Sequence, residues 1–167
     1  MSSSGLRLAA IAIASTCACA SAAPAGAQLL NHKDLSAAIA MTIVQTAIET
    51  CKANGYGVSV TVVGRNGEII AQVRGDNTPP HTMENSFRKA YTARTLRSPS
   101  GALAERVKAE PTLPFIHLSH IIAFQGALPI KIGDETIGAA GASGAPGGEK
   151  DEACIKAGID KVADRLK

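Results

Sequence analysis

The segment "YGVSVTVVGRNGEIIAQVRG", residues 56–75, contains two runs of strand-forming residues separated by a turn signal. β-Branched residues dominate residues 58–63, and isoleucine and valine recur in residues 69–73. The pair Asn66-Gly67 lies between the runs, and both residues tolerate the positive φ angles of tight hairpin turns. The segment therefore predicts a β-hairpin.

Amphipathic helices are predicted at both ends of the domain. Before the hairpin, apolar residues recur every four positions up to the helix stop Asn54-Gly55, at Leu35, Ile39, Ile43, Ala47 and Cys51. At the C-terminus a similar stripe follows an acidic first turn and consists of Cys154, Ile155, Ile159, Val162 and Leu166. One helix therefore opens the domain and another closes it.

Two further helices and more strands are predicted between these elements. Thr82 is a candidate cap for a helix from Met83 to about Arg97, and a shorter helix follows Pro99 and stops before Pro111. The isoleucine-rich residues beyond it predict a strand near 120–125 and a hairpin near 128–142.

The order of these elements is α-ββ-αα-βββ-α, with strands joined by short turns rather than by crossover helices. Such an order favours an α+β fold, with an antiparallel sheet of about five strands flanked by helices.

The first residues resemble a secretory signal peptide. Arg7 precedes a short apolar stretch that is too short to span a bilayer, and Ala25 and Ala27 fit an A-x-A cleavage site. We expect a signal peptide at 1–27 and a single domain at 28–167, in a protein that is periplasmic or secreted and has no membrane span in its mature chain.

The charge balance argues against nucleic acid as the main partner. Loss of Arg7 reduces the 17 basic residues to 16, against 14 acidic ones, whereas dedicated nucleic-acid binders concentrate many more cations. A small ligand is the expected partner.

Two cysteines, Cys51 and Cys154, remain after cleavage, in a compartment where disulfides persist. If the first and last helices pack antiparallel on one sheet face, the end of one lies beside the start of the other, so a disulfide is geometrically feasible. The alternative is that both are small core residues of neighbouring apolar stripes.

His81 is the histidine that the sequence places beside a cluster of cations. It follows two prolines and precedes a helix that carries Arg88, Lys89, Arg94 and Arg97. Haem needs a nitrogen donor for iron, cations for its propionates and apolar walls, and these residue types occur together here. The alternative is that the helix presents an ordinary solvated face.

Other motifs give weaker functional signals. His117 and His120 lie in an apolar segment without a flanking carboxylate, so a hydrogen-bonded core position is the favoured interpretation of one of them. The glycines at 138, 141, 144 and 147 precede an acidic helix start, which disfavours phosphate and favours close backbone packing.

Three segments together resemble the GlcG/HbpS-like family of haem-binding and presumed haem-degrading proteins, which also includes the C-terminal domain of some cobalamin adenosyltransferases. They are "GVSVTVVGRNGEIIAQVRGD", "SFRKAYTARTLRSPSGAL" and "IGAAGASGAPGGEKDEACIKAGI", and with the first helix they cover nearly the whole mature chain. The resemblance implies an antiparallel sheet with helices on it, a homo-oligomer, and haem as cofactor. In "FQGALPI" the chain departs from the family's double glycine, which places Gln125 and Ala127 in a loop near the expected pocket.

The resulting hypothesis is an exported haem- or tetrapyrrole-binding protein that assists haem handling or degradation. His81 would ligate iron, Arg88 and Lys89 would meet the propionates, and Tyr91 would form a wall of the site or hydrogen-bond the ligand. Two alternatives stay open at this stage: an enzyme acting on a small organic acid, and an oligomeric accessory protein without a small ligand.

Overall fold

The predicted hairpin is present in a computed structural model that describes residues 29–167, as strands β1 (Ser59–Val63) and β2 (Ile69–Arg74). The strands pair antiparallel, with Val62 opposite Ala71. Gly67 has a φ of +83°, which glycine adopts without strain. The expected signal peptide at 1–27 lies outside the described residues.

Four strands form one antiparallel sheet. Strands β3 (Ala127–Ile132) and β4 (Glu135–Ser143) make a second hairpin, and the order across the sheet is β2-β1-β4-β3. The α+β class is confirmed, with element order α-ββ-αα-ββ-α. The fifth strand expected near 120–125 is an irregular segment instead, because the Ile122 backbone bonds to the side chain of Thr92 (Ile122 N to Thr92 Oγ1, 2.9 Å).

Helices α1 (Ala37–Ala53) and α4 (Gly148–Asp160) cover one face of the sheet with the predicted apolar stripes. The Ser36 side chain caps α1 by accepting the Ile39 N–H (3.3 Å). The main core lies between these helices and the sheet and includes Ile43, Val60 and Ile155, all fully buried.

Helix α2 (His81–Leu96) covers the opposite face with small and polar residues. The hydroxyl groups of Ser59 and Thr82 lie 2.7 Å apart, as do those of Thr61 and Ser86. Gly141 permits this close approach, because a Cβ there would lie only 2.6 Å from the Ser86 carbonyl oxygen. Thr82 is therefore buried within the helix and is not its cap.

Helix α3 (Ser100–Ala109) and a 3-10 turn (Pro114–His117) connect α2 to β3, and a last 3-10 turn spans Ala163–Arg165. His117 and His120 are both exposed, so the core position favoured for one of them is wrong. The reason is that their segment is a turn and loop rather than a strand. Within residues 29–167, no helix is long and apolar enough to cross a membrane.

Candidate functional site

A cleft of about 490 Å³ opens at the N-terminal end of α2. The first turns of α2, the end of the segment before β3 and the loop after β4 surround it. Its lining consists of Pro79, His81, Thr82, Asn85, Lys89, Phe124, Gln125, Ser143, Gly144, Ala145, Pro146, Gly147, Gly148 and Asp151. This volume lies within the range of sites for small molecules and cofactors.

His81 is the first residue of α2, is exposed and lines the cleft. Asn85 lines the same cleft because residues four positions apart share a helix face. Phe124 lies in the lining too, with 56% of its surface exposed. The cleft thus combines an accessible imidazole, an amide and an aromatic wall.

Lys89 lines the cleft, but Asp151 already binds its ammonium group. Lys89 Nζ lies 2.7 Å from Asp151 Oδ2 and 3.0 Å from the Ala142 carbonyl oxygen, and the two side chains are only 5% and 3% exposed. Asp151 Oδ1 also accepts the Ala145 N–H (3.0 Å). The pair joins α2 to α4 and holds the loop after β4 in place.

Burial raises the pKa of the Asp151 carboxyl above its usual range. The loss of hydration outweighs the opposing effects of the Lys89 charge and of the hydrogen bonds from Lys89 and Ala145. Lys89 and Asp151 therefore form a buried ion pair in which protein oxygens already engage the Lys89 ammonium group.

The N-terminus of α4 faces the cleft at Gly147 and Gly148, and no side chain caps it. Free N–H groups at a helix start attract anionic groups. Gly148 also packs against the Gln125 backbone, since a Cβ there would lie 2.6 Å from the Gln125 carbonyl oxygen. Glu149 and Asp151 already supply two carboxylates in this first turn, so the helix start does not favour a further anionic group.

Arg88, expected to contact the ligand, instead fastens the segment 121–125 to α2. Its Nη2 donates to the Ile121 carbonyl oxygen (2.8 Å), and Thr92 exchanges hydrogen bonds with the Ile122 backbone. This segment leads to Phe124 and Gln125 in the cleft wall. Arg88 and Thr92 therefore position that wall without lining the cleft.

Replacing Arg88 with alanine should make amide hydrogen exchange in residues 120–125 up to about tenfold faster, because one charged hydrogen bond to that backbone is lost. Exchange followed by mass spectrometry measures this without any ligand. Glu84→Gln is the matched control, since it removes only the exposed ion pair of Arg88 with Glu84 (3.5 Å). Equal exchange in both variants would show that Arg88 does not hold the segment.

Tyr91 lies away from the cleft, in an aromatic cluster with Phe87 and His120. The ring centroids of Tyr91 and His120 are 5.5 Å apart, and those of Phe87 and His120 are 5.2 Å apart. His120 has a φ of +64°, a conformation that is uncommon outside glycine. The structure thus brings His81 and Lys89 together and separates Tyr91 from them.

Two other clefts of similar size are less suited to an anionic ligand. One, of about 540 Å³ between α4 and β3, contains Glu149, Glu152 and Asp160, and its Lys156 is paired with Asp160 (2.6 Å). The other, of about 580 Å³, contains Glu49, Lys52 and Asp76. Of these three clefts within residues 29–167, only the one beside α2 has a histidine in its lining.

No group of three or more histidine, cysteine or carboxylate side chains that could hold a bare metal ion occurs in the described part of the chain. A single imidazole fits a metal that brings most of its own ligands, as haem iron does. His81 would hold the metal of such a group, with apolar contact from Phe124 and an amide from Asn85.

Several lining residues were not identified from the sequence. The sequence gives one indication of Asn85, which lies four residues after His81 on the predicted helix. Gln125 differs from the family pattern, but this difference alone does not show that it lines the cleft. Phe124 and Asp151 give no local signal, because they reach the cleft through contacts between segments distant in the sequence.

The chain is similar to several known proteins in sequence and fold. A family model described as "Haem degrading protein HbpS-like" matches residues 35–160. Protein GlcG of Escherichia coli (strain K12) is 29% identical over 109 residues, which cover 65% of this chain and 81% of GlcG.

Two crystal structures share the fold. A double mutant of Streptomyces reticuli HbpS superposes with a TM-score of 0.76 at 31% identity, over 84% of this chain and 97% of HbpS. A haem complex of PduOC superposes with a TM-score of 0.68 at 21% identity, over 75% of this chain and 93% of PduOC. The likeness to PduOC concerns the fold alone.

Proposed function

Because the chain belongs to the HbpS-like family of haem-degrading proteins, we propose that it binds haem or a related tetrapyrrole in the cleft at the start of α2. The observation that carries the proposal is that His81 and Phe124 line one cleft. An imidazole ligates haem iron, and an aromatic ring packs against a flat macrocycle. The haem complex of PduOC indicates that this fold can accommodate the ligand.

Each part of the cleft has a role in this proposal. His81 would hold the iron, Phe124 would cover part of the macrocycle, and the Asn85 amide would donate to a propionate. Lys89 would act indirectly, by fixing Asp151 and the loop from Ser143 to Gly148.

The proposal extends to the cellular context. The signal-peptide pattern at residues 1–27 supports export, and haem handling or degradation outside the cytoplasm would follow from it. The family resemblance supports a homo-oligomer.

Replacing His81 with alanine should abolish or shift the Soret band of the haem complex and weaken haemin binding more than about tenfold. Even outer partners of a metal ligand change affinity by roughly 10- to 100-fold, so loss of the ligand itself should cost no less. Absorption-monitored titration of the freshly purified protein with haemin measures both effects.

His117→Ala and His120→Ala are the matched controls, because both remove an exposed imidazole outside the cleft. They should leave spectrum and affinity nearly unchanged. An unchanged His81 variant would assign the iron to another residue, and a native protein that does not bind haemin at all would overturn the function.

A further inference from the structure

The largest of the three clefts, of about 580 Å³, has no part in the proposed function. Its walls come mainly from three separate segments, which are the C-terminal end of α1, the loop before β1 and the loop after β2. Glycine lets the two loops approach closely, because a Cβ on Gly57 would lie 2.9 Å from the Asp76 carbonyl oxygen. The cleft therefore has a defined shape, since its loops pack directly on one another.

Three charged side chains in the lining keep hydrogen-bonding capacity. Lys52 Nζ lies 3.7 Å from Asp76 Oδ2, which is within the range of an ion pair but too long for a hydrogen bond. These two side chains are 75% and 86% exposed. Glu49 Oε1 accepts a hydrogen bond from Gln45 Nε2 (2.9 Å), and a carboxylate has about four acceptor positions. The lining thus presents an ammonium donor and two carboxylate acceptors to a bound molecule.

Backbone donors are present in the same lining. The N–H groups of Gly57, Asp76 and Asn77 donate to no backbone carbonyl among residues 29–167, and all three residues are exposed. Exposed donors bond to water, which a ligand oxygen can replace. Asn77 adds an amide side chain, which both donates and accepts hydrogen bonds. The turn after β2 therefore offers donors and acceptors side by side.

The charges around this cleft balance. Glu49 and Asp76 supply two negative charges, and Lys52 and the nearby Lys150 supply two positive ones. Lys150 lies close because its Nζ is 5.3 Å from the centroid of the Tyr56 ring, which is half-buried and forms an apolar wall of the cleft. Balanced charges favour neither an anion nor a cation. The cleft is therefore suited to an uncharged polar molecule.

We propose that this cleft binds an uncharged polyhydroxyl compound, namely a sugar or a cyclic polyol. A hydroxyl group both donates and accepts hydrogen bonds, so it matches carboxylates, ammonium and N–H groups within one site. The carbon skeleton would pack against Tyr56. Pro79 and Gly144 line both this cleft and the one beside α2, so the two sites are neighbours. His81 and Phe124 are outside this lining, so the inference does not depend on haem binding.

The test is nuclear magnetic resonance titration of the native protein with D-glucose, D-mannose, D-ribose and myo-inositol in separate experiments. At least one compound should shift the amide signals of Gly57, Asp76 and Asn77 in a saturable manner, while the signals of α3 stay unchanged. The monophosphate ester of the compound that binds tests the charge argument and should bind no more tightly than the parent compound. A lack of saturable shifts with every compound, or tighter binding of the ester, would refute the proposal.

Two variants test the assigned residues. Asp76→Ala removes a carboxylate acceptor and should weaken binding of that compound about three- to tenfold. Asn77→Gly removes the amide and should weaken binding about two- to fivefold, and it keeps the backbone because glycine adopts the φ of +58° without strain. Asp164→Ala, the matched control, removes an exposed carboxylate outside the three clefts and should leave affinity within about 1.5-fold. Equal losses in Asp76→Ala and Asp164→Ala would show that the compound does not bind in this cleft.

Discussion

Replacing Lys89 with methionine should lower the free energy of unfolding by about 3 to 5 kcal/mol, because it leaves the Asp151 charge buried without its partner. The two side chains are 5% and 3% exposed, and Lys89 Nζ and Asp151 Oδ2 are 2.7 Å apart. The space around the pair is tightly filled, so no other group can take the place of the Lys89 ammonium group. A Cβ at Gly126 would already lie 2.8 Å from Lys89 Nζ and 2.9 Å from the Asp151 Cβ. Equilibrium unfolding in urea measures the loss.

The exposed pair of Lys156 and Asp160 provides a matched control for this prediction. Lys156 Nζ and Asp160 Oδ2 lie 2.6 Å apart, but the side chains are 66% and 60% exposed. Lys156→Met should therefore lower the free energy of unfolding by less than about 1 kcal/mol. The double variant Lys89→Met with Asp151→Asn should recover much of the loss, since the amide oxygen can still accept the Ala145 N–H. Equal losses in Lys89→Met and Lys156→Met would contradict the buried arrangement.

The loss in Lys89→Met should also depend on pH. Burial already raises the pKa of Asp151, and removal of the Lys89 charge raises it further. A carboxyl whose folded pKa exceeds its unfolded value binds more protons in the folded state, so stability falls as pH rises through the folded pKa. The deficit of the variant relative to the native protein should therefore be larger at about pH 8 than at about pH 5.

The elements on the α1 and α4 side of the sheet could be predicted from sequence because apolar packing leaves a periodic trace. The stripes through Ile43 and Ile155 are the ones that the structure buries. On the other face, α2 buries hydroxyls against Ser59 and Thr61, and that interface resembles an exposed helix face in sequence. Polar pairing between distant segments has no periodic apolar signal.

The residues of the candidate site also differ in whether the sequence could predict them. His81 could be chosen because local chemistry distinguishes it, namely two prolines and a helix start. The role of Lys89 could not be predicted, because its partner Asp151 is 62 residues away and an acidic helix start usually faces solvent. Phe124 reaches the cleft because the backbone of its segment bonds to α2 rather than to a strand. The sequence pattern predicted a strand near 120–125, so it could not place Phe124 in the cleft.

Replacing both Cys51 and Cys154 with alanine should lower the free energy of unfolding by about 4 to 5 kcal/mol in the chain-entropy model. The structure joins the two residues by a disulfide, with Cα atoms 5.6 Å apart and a sequence separation of 103. Such a long loop in the unfolded chain loses much conformational freedom when its ends are linked. The bond also ties the end of α1 to the middle of α4, the two helices that cover the main core.

Alanine also removes two buried sulfur atoms, so the link and the packing must be measured separately. The native protein unfolded in the presence of a reductant keeps both side chains and loses only the link, and its midpoint should fall most of the way to that of the double variant. In a variant truncated to residues 28–167, thiol labelling of unreduced, denatured chains should find no reactive cysteine, and labelling of reduced chains should find Cys51 and Cys154. If two thiols are labelled without reductant, or if the unfolding midpoint is the same with and without reductant, the two cysteines contribute only as small core residues.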